Sequence, residues 1–272
     1  MKELAGRKLI LIVGIPFGIG CYLIGNPIFA VVTTIVMLGG LDEFYSICEK
    51  KGGYPNRIFG FIITLLIAVS YSGIYAHHQI TIMGIICLSV ISVFFIEIIN
   101  KKEEPLLNIS TTFLGILFVP CLLGTIIYLR QMDHIYNSNV VLALFLSVWF
   151  ADIAAFFFGT KWGKKKIVPM ISPKKSWVGS ISGFLASLLV FILFHELGFL
   201  GARYSLLDSV TFGVISGIFS QLGDFSESLL KRDVGVKDSG NLLRGHGGIL
   251  DRFDSLLFSS SMIYIHFLIF ID

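Results

Sequence analysis

Val140-Val141-Leu142-Ala143-Leu144-Phe145-Leu146-Ser147-Val148-Trp149-Phe150-Ala151-Asp152-Ile153-Ala154-Ala155-Phe156-Phe157-Phe158-Gly159 is a run of 20 residues with one charge. As a helix it rises about 30 Å, the thickness of the hydrocarbon core of a bilayer. The lone carboxylate is the exception that needs an account, because an acid at a helix centre costs about 2.5–3.5 kcal/mol on insertion scales. Asp152 shares a helical face with Phe156 and Gly159 by i, i+4, i+7 spacing, which favours an inward-facing polar site.

Outward from this run the same pattern repeats. Apolar stretches cover residues 8–24, 27–45, 57–75, 79–99, 111–129, 140–159, 178–197, 206–222 and 256–271. Of the 272 residues 55% are apolar and 14% charged, where a soluble domain carries about a quarter charged residues. Mean hydropathy is +0.84. Disorder, collagen and small disulfide scaffolds are excluded. The expected fold is an all-α polytopic membrane protein with about nine transmembrane helices, forming a single integral membrane domain over 1–272. Lys2, Arg7 and Lys8 before the first run resemble a signal peptide, but no small-residue cleavage site follows, so the run reads as an uncleaved first helix. Cys21, Cys48, Cys87 and Cys121 lie in apolar stretches without CxxC spacing and read as buried structural thiols.

Positive loops stay cytoplasmic. With nine helices, nineteen of the 21 Lys and Arg fall on one side, leaving only Arg130 and Arg203 for the other. The N-terminus is therefore expected in the cytoplasm and the C-terminus on the opposite side.

The polar groups that can carry chemistry gather on the cytoplasmic side. Asp42, Glu43 and Glu97 lie near helix ends, where solvated interface residues are the plainest account. After the eighth apolar stretch, Asp224, Glu227, Ser228 and Lys231 fall on one helical face. The chain then runs through Lys237-Asp238-Ser239-Gly240 and Gly245-His246-Gly247-Gly248 into Asp251-Arg252-Phe253-Asp254. Glycines let backbone N–H groups approach phosphate oxygens. Lys231, Arg232, Lys237, Arg244 and Arg252 supply cations for a polyphosphate, and Asp224, Asp251 and Asp254 offer hard oxygen ligands suited to Mg²⁺. In the preceding loop, Ser172-Pro173-Lys174-Lys175-Ser176 favours phosphate contact by its two lysines. The Lys164-Lys165-Lys166 run fits attraction to anionic lipid heads. His246 is either a general base or a residue that shapes its turn.

Ser228 to Asp254 resembles the signature of bacterial phosphatidate cytidylyltransferases, also called CDP-diacylglycerol synthases. The matching elements are Ser228, Lys231-Arg232, Lys237-Asp238, Gly240, Leu243, His246-Gly247-Gly248 and Asp251-Arg252-Phe253-Asp254. Ser172 to Ser176 and the Asp152 helix look like the family's second motif, so the catalytic portion is expected at about 149–255. Arg244, where Pro is usual, and Val178, where Glu commonly follows, depart from the pattern. The resemblance implies conversion of CTP and phosphatidate to CDP-diacylglycerol and pyrophosphate, with Mg²⁺ paired with a monovalent cation such as K⁺. It implies Asp224 and Asp251 as catalytic metal ligands. Substrate-binding residues would be Ser172, Lys174, Lys175, Lys231, Arg232, Lys237, His246, Gly247, Gly248 and Arg252, and Asp152, Glu227 and Asp254 are secondary candidates. It further implies a bacterial inner membrane, a site facing the cytoplasm, membrane lipids but no nucleic acid as partners, and room for a homo-oligomer. A related lipid cytidylyltransferase or lipid-alcohol kinase would keep the same phosphate and metal groups. An ion-coupled transporter would also hold acids in helices, but near the midplane and between repeats.

Overall fold

The computed structural model describes residues 18–73, 78–100, 103–240 and 247–271, and among these it is helical, with no strand. Residues 18–24 are helical, and the rest of the first apolar stretch lies outside the described residues. The helices that follow are α1 (Asn26–Lys50), α2 (Arg57–Tyr71), α3 (His78–Asn100), α4 (Pro105–Ile116), α5 (Thr125–Tyr136), α6 (Val140–Trp162), α7 (Trp177–Glu196), α8 (Leu206–Asp233) and α9 (Leu250–Phe270). Seven spans among the described residues are long and apolar enough to cross a membrane, with α4 and α5 joined into one, Pro105–Tyr136. Helix α2, at 15 residues, is shorter. It rises about 22 Å, less than a bilayer core. Large apolar side chains such as Ile58, Leu88, Phe156 and Leu185 face outward, as a lipid solvent permits and water does not.

The chain groups into two compact units, one from Met1–Tyr128 and Asp233–Arg252, the other from Leu129–Arg232 and Phe253–Asp272. In the first, α1 begins with Pro27 in its first turn, where the missing N–H is no loss. It ends in a Schellman motif: Gly53 N donates to Cys48 O (3.2 Å) and Gly52 N to Glu49 O (3.0 Å), with Gly52 at φ +90°. Tyr45 is fully buried between α1, α2 and α4. A Cβ on Gly60 or Gly115 would lie 2.3 or 2.4 Å from its ring or hydroxyl, and that hydroxyl donates to Thr112 O (3.0 Å). Between α4 and α5 the chain makes a π-helical turn, Leu117–Cys121, around Pro120, which has no N–H to give the preceding turn.

In the second unit the buried Asp133 carboxylate caps α6, accepting from Val140 N (2.8 Å), Val141 N (2.9 Å) and Ser138 Oγ (2.7 Å). Helices α6 and α7 touch through small residues. A Cβ on Gly179 would stand 2.8 Å from Ala155 O, and one on Gly183 3.1 Å from Ala151 O, the close approach by which membrane helices associate. Helix α8 joins them where Gly213 and Gly217 meet Leu188 and Phe184.

Two boundaries differ from the hydropathy reading. Helix α8 continues eleven residues beyond Leu222, because Lys231 and Glu227 pair one turn apart and keep the polar segment helical. Helix α9 begins at Leu250 rather than Leu256, so Asp251, Arg252 and Asp254 sit in its first turns. The cysteines also differ. All four are free, but only Cys21 is buried, while Cys48 and Cys121 are half-buried and Cys87 is exposed.

Candidate functional site

In the second unit a groove of about 250 Å³ is lined by Asp152, Gly159, Lys174, Lys175, Gln221 and Asp224, among others. Gly159, Gly179 and Gly183, where α6 and α7 approach closely, form part of its lining. The lysines enter from the 163–176 loop, which folds back on itself. Lys166 and Ser176 form an isolated antiparallel bridge, Trp177 N donates to Lys165 O (3.1 Å), and the Ser176 hydroxyl caps α7 by accepting from Gly179 N (3.3 Å). Lys175 Nζ contacts Asp224 Oδ2 and lies 4.3 Å from the centre of the Phe225 ring, a cation–π distance. Both partners are about 30% exposed, 28% for Lys175 and 31% for Asp224. Ser228 Oγ reaches Asp224 Oδ1 at 3.4 Å.

Gly223 lets α8 and α9 meet backbone to backbone, since a Cβ there would stand 2.2 Å from Asp254 O. This contact brings the buried Asp254 into the electrostatic field of Asp224, Asp152 and Lys175. Asp152 is exposed and lines the groove together with Phe156 and Gly159 of its helical face. Glu227 and Lys231 form a buried ion pair, which gives the Lys231 ammonium to a carboxylate rather than to open solvent. Arg232 is exposed, and its Nε donates to Ile171 O (3.3 Å), tying α8 to the turn that holds Ser172.

In the first unit the described ends of the glycine-rich loop, Ser239 and residues 248–250, donate to two carboxylates. Asp251 Oδ2 accepts from Gly248 N (2.7 Å), Ser239 N (2.9 Å) and Ser239 Oγ (3.0 Å). Glu43 Oε1 accepts from Ile249 N (2.9 Å), and its Oε2 from Leu250 N (2.9 Å) and Ser239 Oγ (2.8 Å). Glu43 is 5% exposed and so is no solvated interface residue. Its neighbour Asp42 does stay near solvent, paired with Arg57, and Glu97 accepts from Asn108 Nδ2 (2.7 Å). The space freed by the glycines is filled by these carboxylates. A Cβ on Gly240 would lie 2.4 Å from Glu43 Oε1, one on Gly248 2.1 Å from Glu43 Oε2, and one on Gly247, at φ +78°, 2.5 Å from Asp251 Oδ2. Lys237 and Arg252 are exposed beside this cage, while Arg244, Gly245 and His246 lie outside the described residues.

The model of the cytidylyltransferase family matches residues 5–270. The chain belongs to that family. A phosphatidate cytidylyltransferase of Synechocystis sp. is 30% identical over 283 residues, covering 95% of this chain and 94% of that one. One from Staphylococcus haemolyticus is 31% identical over 260 residues, covering 95% and 97%. One from Haemophilus influenzae reaches 38% over 159 residues, covering 57% and 55%. In this cytidylyltransferase the sequence reading took Glu43 of the cage for a solvated interface residue and gave no role to Ser239 or to Gln221 of the groove. Gln221 Nε2 donates to Ser180 O (3.0 Å), stitching α8 to α7 beside Asp224. Glu43 shares its helical face with Ser46 and Lys50, so the pattern of α1 gives no signal for it.

Proposed function

We propose that the protein transfers the cytidylyl group of CTP to phosphatidate. The reading is carried by relatives named phosphatidate cytidylyltransferase that align along 95% of the chain. A phosphate oxygen of phosphatidate attacks the α-phosphorus of CTP, the bond to the β-phosphate breaks, and pyrophosphate leaves with the electron pair. The attacking oxygen is already anionic at neutral pH, so the protein's task is to hold two anions together and offset their charge. Lys174 and Lys175, at the groove, are suited to the phosphates, with Arg232, Lys237 and Arg252 as further cations and Ser172, Gly247 and Gly248 shaping the loops beside them.

A divalent cation fits this donor set. Asp224 already holds a cation, the Lys175 ammonium, through a hard carboxylate oxygen. Among the described residues no three His, Cys, Asp or Glu side chains converge on one metal position. Mg²⁺ does not require that, since it usually takes one or two carboxylates and completes its shell with water and substrate phosphates. Asp224 in the groove and Asp251 in the loop are the carboxylates suited to such cations, Mg²⁺ and K⁺, with Asp152 and Asp254 adding negative charge beside Asp224. When bound, such an ion neutralises charge on the reacting phosphates.

The enzyme is read as an inner-membrane protein of nine helices, with its N-terminus and active site cytoplasmic and its C-terminus opposite, in line with the charge bias of its loops. Purified protein should release pyrophosphate only when CTP and phosphatidate are both present, and should stop when Mg²⁺ is chelated. Pyrophosphate release without phosphatidate, or with ATP in place of CTP, defeats the proposal. Single cysteines at 165 and 240 should label from the cytoplasmic side and ones at 134 and 204 from the other; labelling of 240 and 204 from one face defeats the topology.

A further inference from the structure

The geometry points to Glu43 as a positioning residue of this reaction: its buried carboxylate pins Ser239 and the first turn of α9, and thereby sets the orientation of the Asp251 carboxylate. The inference rests on the reading that Asp251 belongs to the active site.

Three observations carry it. Glu43 gathers donors from 196 to 207 residues away, the Ser239 hydroxyl and the N–H groups of Ile249 and Leu250. The two N–H groups belong to the start of α9, so the carboxylate also lies against the positive end of a helix dipole. The Ser239 hydroxyl has one hydrogen and two carboxylate oxygens in reach, Glu43 Oε2 at 2.8 Å and Asp251 Oδ2 at 3.0 Å. Glu43 therefore competes with Asp251 for that hydrogen, while the N–H groups of Ser239 and Gly248 remain committed to Asp251. Finally, Gly240 and Gly248 have no room for a side chain because Glu43 fills the space, so two glycines of the motif are shaped to this carboxylate.

Helix packing alone gives no reason for a charge here. A buried carboxylate must recover its lost hydration, and an apolar residue of similar size often serves stability as well or better. What an apolar residue cannot do is accept three donors and share a hydroxyl with Asp251.

The test uses full-length protein in lipid nanodiscs, with Glu43→Gln, Ser239→Ala, Asp251→Asn and a control, Glu49→Gln, whose carboxylate pairs with Arg57 at the surface. Glu43→Gln keeps the size but sets an NH₂ group against N–H and O–H donors. It should lower kcat at least tenfold with the KM for CTP changed less than threefold, and metal-free protein should lose amide-exchange protection over 237–240 and 247–252 while α7 keeps its own. Ser239→Ala should lower kcat in the same direction by less, and the control should stay within twofold of the parent. Unchanged kcat in Glu43→Gln overturns the inference, as does a loss of protection spread evenly over all helices. If Glu43→Gln fails to fold, full activity in Ser239→Ala overturns it and a selective fall in kcat supports it. An active Asp251→Asn defeats the active-site reading itself, whereas an inactive Asp251→Asn beside a fully active Glu43→Gln removes only the role of Glu43.

Discussion

Asp224 and Asp251 carry the same carboxylate in opposite kinds of setting. Asp224 Oδ2 is met by the ammonium of Lys175, at the tip of a flexible four-carbon stem and about 30% exposed in a groove. Asp251 Oδ2 is met by two backbone N–H groups, fixed in the chain, and by the Ser239 hydroxyl, which it shares with Glu43. The first is an exchangeable partner and the second a fixed one. An incoming phosphate or metal ion can take Lys175 or Asp224 from the other at little conformational expense. At Asp251 the backbone donors instead hold one carboxylate oxygen in place.

Removing each charge tests this contrast with the largest effect. Asp224→Asn and Asp251→Asn should each lower turnover more than a hundredfold, about 2.7 kcal/mol or more, with membrane insertion intact. The double variant should be no worse than either single one, since groups acting as a unit are non-additive. The amide oxygen of Asp251→Asn can still take the donors of Oδ2, so amide-exchange protection of Ser239 and Gly248 should persist there and vanish in Asp251→Ala. Substantial turnover in either Asn variant at saturating Mg²⁺ would make that carboxylate structural.

Gly248→Ala strikes the fixed setting directly. Its Cβ would fall 2.1 Å from Glu43 Oε2 and 2.2 Å from Ser239 Oγ, both held by other bonds. Overpacking of this kind costs about 1–3 kcal/mol. The thermal midpoint should drop and turnover should fall at least tenfold. A variant with parental activity and stability would show the cage to be soft.

The exchangeable setting predicts a smaller effect. Lys175→Ala should lower kcat/KM more than tenfold, about 1.4 kcal/mol, by removing a phosphate contact while the helices stay folded. Lys174→Ala should act in the same direction. Lys165→Ala, outside the groove, should change kcat/KM by less than that. Equal losses at all three would return the loop to general attraction for anionic lipid.

How much of this was legible in the sequence depends on whether the cause is local. Helices α6 and α7 were readable because about twenty mostly apolar residues in a row are a local property, and that Asp152 shares a face with Phe156 and Gly159 followed from helical spacing alone. The polar end of α8 was legible from the helical spacing of Asp224, Glu227, Ser228 and Lys231 though not from hydropathy, whereas the first turns of α9 were not, since hydropathy does not register a helix begun by N–H groups resting on Glu43. The loop glycines were legible as a need for space, but not what fills it. Glu43 looked like an interface charge because its partners lie about 200 residues away, and no pattern on α1 reports them. The groove lining of Gln221 was hidden for the same reason, as it depends on how α8 packs on α7.

The smallest effect asks whether a lysine–aspartate contact matters by itself or by where it stands. Lys51 Nζ meets Asp233 Oδ1 at 2.9 Å, chemically the same pair as Lys175 and Asp224. Its side chains are 53% and 59% exposed, and neither lines the groove. Water and salt screen such a pair, and holding two long side chains in one geometry costs entropy, so exposed pairs contribute about 0.2–1 kcal/mol at most. Lys51→Ala should therefore keep kcat/KM within twofold and shift the thermal midpoint by only a degree or two. The same substitution at Lys175 should leave the midpoint equally unmoved while kcat/KM falls. That separation, stability unchanged at both and catalysis changed at one, is what the exchangeable reading of Lys175 requires. A matching fall in activity at Lys51 would mean that net positive charge near the membrane surface, rather than the groove, carries the lysine effect.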